Sequence, residues 1–172
     1  MTKPVPREIE GQENAVQGVF HMPLSAGDAF LRILVAVDDS SHALDVVAAA
    51  VELARSSGAS MRLFHALSIP PEFPPAAHVA VDDPLPRYLH DETLRRLEAL
   101  KGAVGNVPCD VHVEESESPW RAILAAADQF AADLIVLGSH RYTLLDRVLG
   151  TTAAKVVDHA KRTVFVVHPR SI

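Results

Sequence analysis

A single α/β domain, built on an open parallel sheet with helices on both faces, is the fold class this 172-residue sequence predicts. Three observations point to it. Short strand-like runs recur five times, as FLRILVAV, SMRLFHAL, CDVHVEE, DLIVLG and TVFVVHP. Between them lie segments whose apolar residues repeat at helical spacing. The composition, 48% hydrophobic and 22% charged, is that of an ordinary globular chain, long enough for one core and too short for two of usual size.

Each element has its own justification. Residues 1–29 carry scattered Pro, Gly and Glu without periodicity, so they read as a flexible N-terminal arm, and the folded domain is expected over 30–170. FLRILVAV is almost continuously apolar, as a strand buried on both faces must be. DDSSH then offers helix N-cap candidates, Leu44, Val47, Ala48, Val51 and Ala54 make the apolar stripe, and Gly58 closes the segment. SMRLFHAL is the second strand. The Pro-rich stretch 68–86, SIPPEFPPAAHVAVDDPLP, is long enough to serve as a lid or binding loop. A helix is predicted over Tyr88 to Val104, with Leu94, Leu97 and Leu100 on one side. CDVHVEE is the third strand. Ser118 and Pro119 suit an N-cap and a first helical position, ahead of a stripe of Ile123, Leu124, Ala127 and Phe130. DLIVLG is the fourth strand and TVFVVHP the fifth, joined by the helix TTAAKVVDHA with Ala153, Val156, Val157 and Ala160 inward.

Several function classes drop out at once. A net charge of −6 and a pI near 5.8 do not suit a general nucleic-acid binder, which needs a basic face. No apolar run reaches the roughly 18 residues of a membrane span. Cys109 is the only cysteine, so a reducing compartment fits best. The N-terminus lacks the apolar stretch of a secretory signal, and the cytoplasm is the expected location.

In a parallel sheet the ligand crevice lies beyond the carboxyl ends of the strands, which directs attention to four loops. The richest is GSHRYTLLDRVLGTT, Gly138 to Thr152. Gly138 ends a buried strand. Gly150, Thr151 and Thr152 stand at a helix start, where free amides and the positive dipole end attract anions. Arg141 and Arg147 lie between, and Lys155 follows in the first turn. The stretch suits a phosphate cradle, and it equally suits a strand-ending glycine followed by a capped helix. It is neither a Walker loop nor a G-x-G-x-x-G fingerprint. Asp38, at the end of the first strand, can receive an adenine amine or a ribose hydroxyl, or can cap the next helix. The nine histidines are dispersed, and His65 reads as a hydrogen-bonded core residue. Ser139, Ser40 and Ser41 lack a nucleophile-elbow setting. No catalytic residue and no metal cluster is expected.

The chain resembles the universal stress protein family over about Phe30 to Pro169. The resemblance is carried by RILVAVDDSSHALDVVAAAVELARSSGASMRLFHAL and, more specifically, by ADLIVLGSHRYTLLDRVLGTTAAKVVDHAKRTVFVVHP. It implies a five-stranded parallel sheet of the adenine-nucleotide alpha-hydrolase type, in the order 3-2-1-4-5. It also implies a homodimer through the C-terminal strand, Thr163 to His168, and an unidentified regulatory protein partner. The ATP-binding branch of the family uses Gly-x2-Gly-x9-Gly-[Ser/Thr]. Gly138 matches its first glycine, and Gly150 with Thr151 its last pair. Arg141 replaces the middle glycine, and the spacer is one residue shorter. The nucleotide-binding set implied is Ala36, Asp38, Ala66, Gly138, Arg141, Gly150, Thr151 and Thr152. The ligand implied is ATP, with Mg2+ held mainly by phosphates and water. The function expected is a regulatory stress-response protein with at most slow hydrolysis; the alternative is a dimeric interaction protein that needs no nucleotide.

Overall fold

A computed structural model of the chain describes residues 30–68, 84–139 and 150–168. Along the chain run β1 (Arg32–Ala36), α1 (Ala43–Ser57), β2 (Ser60–Leu67), α2 (Pro84–Gly102), β3 (Cys109–Glu115), α3 (Pro119–Gln129), β4 (Leu134–Gly138), α4 (Thr151–His159) and β5 (Thr163–Val167). All neighbouring strands are parallel, and their order is β3-β2-β1-β4-β5. The winding direction therefore reverses between β1 and β4, where Ala36 stands opposite Leu137.

Period-two alternation along the strands supplies two cores. Ile33, Val35, Met61, Leu63, Leu134 and Val136 face one side with Val46, Val47, Ala50 and Val51 of α1 and Leu97 of α2. Leu34, Ala36, Phe64, Ile135 and Leu137 face the other with Ala122, Ile123, Ala126 and Ala127 of α3 and Ala153 and Val156 of α4. Each fully buried Val, Leu or Ile contributes about 1.5–3 kcal/mol. The central strands β1 and β4 show almost no solvent-facing side chain, which accounts for their continuous apolar sequence.

The helices correct several sequence expectations. α2 starts at Pro84, four residues ahead of the expected Tyr88, because a proline is well tolerated in the first helical turn, where its missing N–H has no partner to lose. In α1 the buried stripe is Ala43, Val46, Val47, Ala50, Val51 and Ala54, while Leu44 is 56% exposed. Ala48 is exposed as well. Residues 46–51 are all Val or Ala, so this segment has no polar side to fix its phase. Val157 is likewise exposed beside its buried neighbour Val156, and Ala160 has already left α4 in an extended conformation. In α3 Ala122 and Ala126 join Ile123 and Ala127 in the buried stripe, and Leu124 and Phe130 pack on its margin. Gly58 closes α1 as expected: its φ of 73° is left-handed, and its N–H donates to the Ala54 carbonyl.

Candidate functional site

The carboxyl edge of the sheet brings the ends of three strands and one helix together. β1 continues past Ala36 through Val37, whose N–H donates to the Phe64 carbonyl at 2.9 Å and extends the pairing with β2. At the end of β4, the Ser139 N–H donates to the Val167 carbonyl at 2.9 Å, and the Ser139 carbonyl accepts the Gly150 N–H at 3.2 Å. That second bond fixes the amino end of α4 against the end of β4. The geometry thus gathers Ala36, Asp38, Ala66, Gly138, Gly150, Thr151 and Thr152 at one edge, astride the topological switch point. Arg141 with the rest of residues 140–149, and most of the Pro-rich stretch, lie outside the described residues.

Local chemistry explains each position. Ala36 and Ala66 belong to the α3–α4 face of the sheet, and their methyl side chains leave room at its rim. Asp38 is exposed, and its carboxylate accepts the Ser40 N–H at 3.1 Å, which turns the chain toward α1. The N-cap position of α1 is occupied by His42 and makes no side-chain cap bond, so neither Asp38 nor Asp39 caps this helix. Ser118 holds the N-cap position of α3, also without a side-chain cap bond. Gly138 is small for a packing reason: a Cβ there would lie 3.3 Å from Val46 Cγ2 of α1. Its glycine character serves the approach of helix to sheet on that face.

At α4, Gly150 is the N-cap, with φ −56° and ψ 150°. It has no side chain with which to cap the helix. The helical pattern leaves the first amides without intrahelical acceptors, and they form the positive end of the helix dipole. Thr151 is exposed and Thr152 half-buried at this end. Ser139, which matched no catalytic motif, is 1% exposed, and its hydroxyl has no hydrogen-bond partner among the described residues. The sequence signal for it was period two: Ile135, Leu137 and Ser139 share a face, and Ser139 is the polar one at the rim.

A second cluster sits beside the site. His65 is 7% exposed, and its Nδ1 lies 3.0 Å from the Val37 carbonyl. A carbonyl can only accept, so Nδ1 carries the proton. Its Nε2 is 3.8 Å from an Asp39 carboxylate oxygen, which also pairs with Arg96 of α2. Burial pushes the His65 imidazole below the usual histidine range, against the opposing pulls of the Val37 carbonyl and the Asp38 charge. His65 is therefore a neutral structural tie, as its place inside a strand implied. Burial likewise pushes the Cys109 thiol up, partly offset by a hydrogen bond involving the Leu63 backbone, so the thiolate is scarce.

Among the described residues, no group of three or more His, Cys, Asp or Glu is placed to hold a metal ion. No helix among them is long and apolar enough to cross a membrane. A cleft of about 230 Å3 lined by Ala54, Arg55, Gly58, Ala59, Asn106 and Val107 lies at the far, amino edge, where its one charge, Arg55, already pairs with Glu52.

The family model for the "Universal stress protein family" matches residues 29–168. A universal stress protein of Thermus aquaticus, encoded in the 3′ region of a QAH/OAS sulfhydrylase, is 32% identical over 139 residues, covering 80% of this chain and 98% of that one. The solved structure of the universal stress protein UspA from Lactobacillus plantarum superposes with a TM-score of 0.62 at 26% identity, covering 80% of this chain and 97% of that chain. A universal stress protein solved in complex with cAMP gives a TM-score of 0.57 at 26% identity, over 81% of this chain and 98% of that chain.

Proposed function

The chain belongs to the universal stress protein family, and from that premise we propose that it is a regulatory adenine-nucleotide-binding protein of the stress response, working as a homodimer. The observation that carries this reading is the meeting of the β1–β4 switch point with the amino end of α4, whose N-cap is Gly150. Such a junction suits a nucleotide: small residues for a flat ring, a carboxylate for hydroxyls, helix amides for phosphates. The cAMP held by a relative of the same fold supports the adenine class.

ATP is the nucleotide proposed. Asp38 would receive the ribose, with Ala36 and Ala66 beside the adenine. The phosphates would run past Gly138 to the amides of Gly150, Thr151 and Thr152. Arg141, from the sequence, is the cation proposed to meet them. Magnesium would arrive on the phosphates and keep most of its waters. Any hydrolysis is proposed to be slow, since the sequence offers no evident base or water-positioning motif.

For the homodimer, the support is β5. It is the last strand of the sheet, paired with β4 on one side, and it displays Phe165 at 44% exposure. An apolar edge of this kind invites a second strand.

The direct test is to denature the purified protein, chromatograph the released small molecules for adenine nucleotides, and titrate ATP–Mg2+ against the melting temperature. At a hundredfold excess over Kd, bound ligand stabilises the native state by about 2.7 kcal/mol. Absence of both signals overturns the reading. Gly150 has an extended backbone conformation open to any residue, so Gly150→Val should keep the fold while its branched side chain screens the amides and weakens ATP about tenfold or more. Unchanged affinity in that variant would move the phosphates elsewhere.

A further inference from the structure

We propose that Asp39 and Arg96 together are positioning residues for Asp38, with α2 holding the β1–α1 turn so that the Asp38 carboxylate meets a ribose. This deepens the nucleotide reading and rests on it for the presence of the ribose.

The turn is a chain of local bonds. The Asp38 carboxylate accepts the Ser40 N–H at 3.1 Å, and the Ser40 hydroxyl accepts the His42 N–H at 3.3 Å. The Ser40 carbonyl accepts the Ala43 N–H at 3.2 Å, which joins the turn to the start of α1. Asp39 is the middle residue of the first of these closed turns. A pull on its side chain therefore turns the Asp38 carboxylate with it.

That pull comes from α2. Arg95 pairs within its own helix with Glu92, whereas Arg96 reaches out of the helix to the Asp39 carboxylate. The next residue, Leu97, is 2% exposed in the core that includes Val37, so the helix behind Arg96 is fixed. From β2, the His65 Nδ1–H holds the Val37 carbonyl at 3.0 Å. Its Nε2 carries no proton and lies 3.8 Å from the Asp39 carboxylate, so the neutral ring offers Asp39 no donor. Among the described residues the hold on Asp39 falls to Arg96, whose planar fork orients a carboxylate as well as placing it. Side-chain exposures of 45% for Arg96 and 63% for Asp39 make the pair a small contributor to stability. What it supplies is the direction of the turn.

The test uses the full-length chain as wild type, Arg96→Ala, Asp39→Asn and the double variant. ATP–Mg2+ and 2′,3′-dideoxy-ATP–Mg2+ are titrated calorimetrically, and the melting temperature is measured without ligand. The two nucleotides differ only in the ribose hydroxyls, so any change of charge felt by the phosphates cancels from the ratio of their affinities. The wild type should prefer ATP. In each single variant that preference should shrink about threefold, through weaker ATP binding, while the dideoxy nucleotide binds as before. The double variant should be no worse than either single one. The ligand-free melting temperature should fall by less than about 3 °C.

An unchanged preference in both single variants overturns the positioning role and leaves the nucleotide reading standing. Equal weakening of both nucleotides overturns it in favour of a structural ion pair. A wild type that binds the two nucleotides equally removes the ribose contact at Asp38, and the positioning role with it, in a protein that still binds nucleotide. A wild type that binds neither sinks the nucleotide reading and this proposal together.

Discussion

The two edges of the sheet are finished in opposite ways. At the amino edge, Asp133 accepts the Leu31 N–H at 2.8 Å and the Arg32 N–H at 3.2 Å, closing the start of β1 onto the start of β4. Arg162 donates to the Ala127 and Ala132 carbonyls, each at 2.7 Å, and pairs with Asp128. Arg62 forks onto Asp110 across β2 and β3 with two bonds of 2.7 Å and lies 4.5 Å from the Phe130 ring centre. At the carboxyl edge, the N-cap residues of α1, α3 and α4 make no side-chain bond to their helix amides, and the Ser139 hydroxyl is buried without a partner among the described residues. The difference teaches where each kind of free energy is kept. Ties at the amino edge stabilise the fold, while the carboxyl edge is where a doubly wound sheet opens its crevice.

That comparison can be broken at the amino edge first. Arg162→Ala removes the donor to two carbonyls and should destabilise the protein by about 2–3 kcal/mol in urea unfolding. ATP affinity should be untouched; a matching loss of binding would show that the edges are coupled. A smaller effect is expected from His65, whose neutral form the fold favours. Because its folded pKa is lowered, the unfolded chain takes up the proton first, so stability is whole above the ordinary histidine value of 6.5 and declines as pH falls below it. Urea midpoints at pH 7.5 and 5.5 should therefore differ more for the wild type than for His65→Gln. Asp38, Asp39 and Arg96 are charged groups around the imidazole among the described residues, and equal midpoint differences would show that His65 is not the source of the pH response. The smallest effect concerns Ala131, which follows α3 with a φ of +50°. Ala131→Gly relieves a left-handed strain that alanine resists and should stabilise by about 0.5–1 kcal/mol, read by calorimetric melting. No gain would mean that the added freedom of the unfolded glycine cancels it.

Much of this was legible in the sequence. β2 and β3 coincide with SMRLFHAL and CDVHVEE at both ends, since polar and turn residues bracket them. The start of α3 was marked by Ser118-Pro119. The sequence predicts α2 too short because a run of prolines suggests loop, although Pro84 is compatible with a helix start. Helical spacing alone points Leu44 and Ala48 inward because an all-apolar segment has no polar side from which to take its phase. The match of Gly138, Gly150 and Thr151 to a glycine motif located the candidate site, but it did not explain Gly138, whose small size answers to Val46 across the sheet.

By itself, the sequence determined the kind and succession of the elements and the loops worth inspecting, because alternation, helical spacing and caps are properties of a few adjacent residues. The tertiary structure decided the rest: which side of α1 is buried, where the winding reverses, and that the Ser139 backbone ties the end of β4 to β5 and to the start of α4. Those outcomes depend on partners far along the chain, as when Asp133 meets Arg32 across 101 positions, and no local pattern encodes which surface a residue will find itself against.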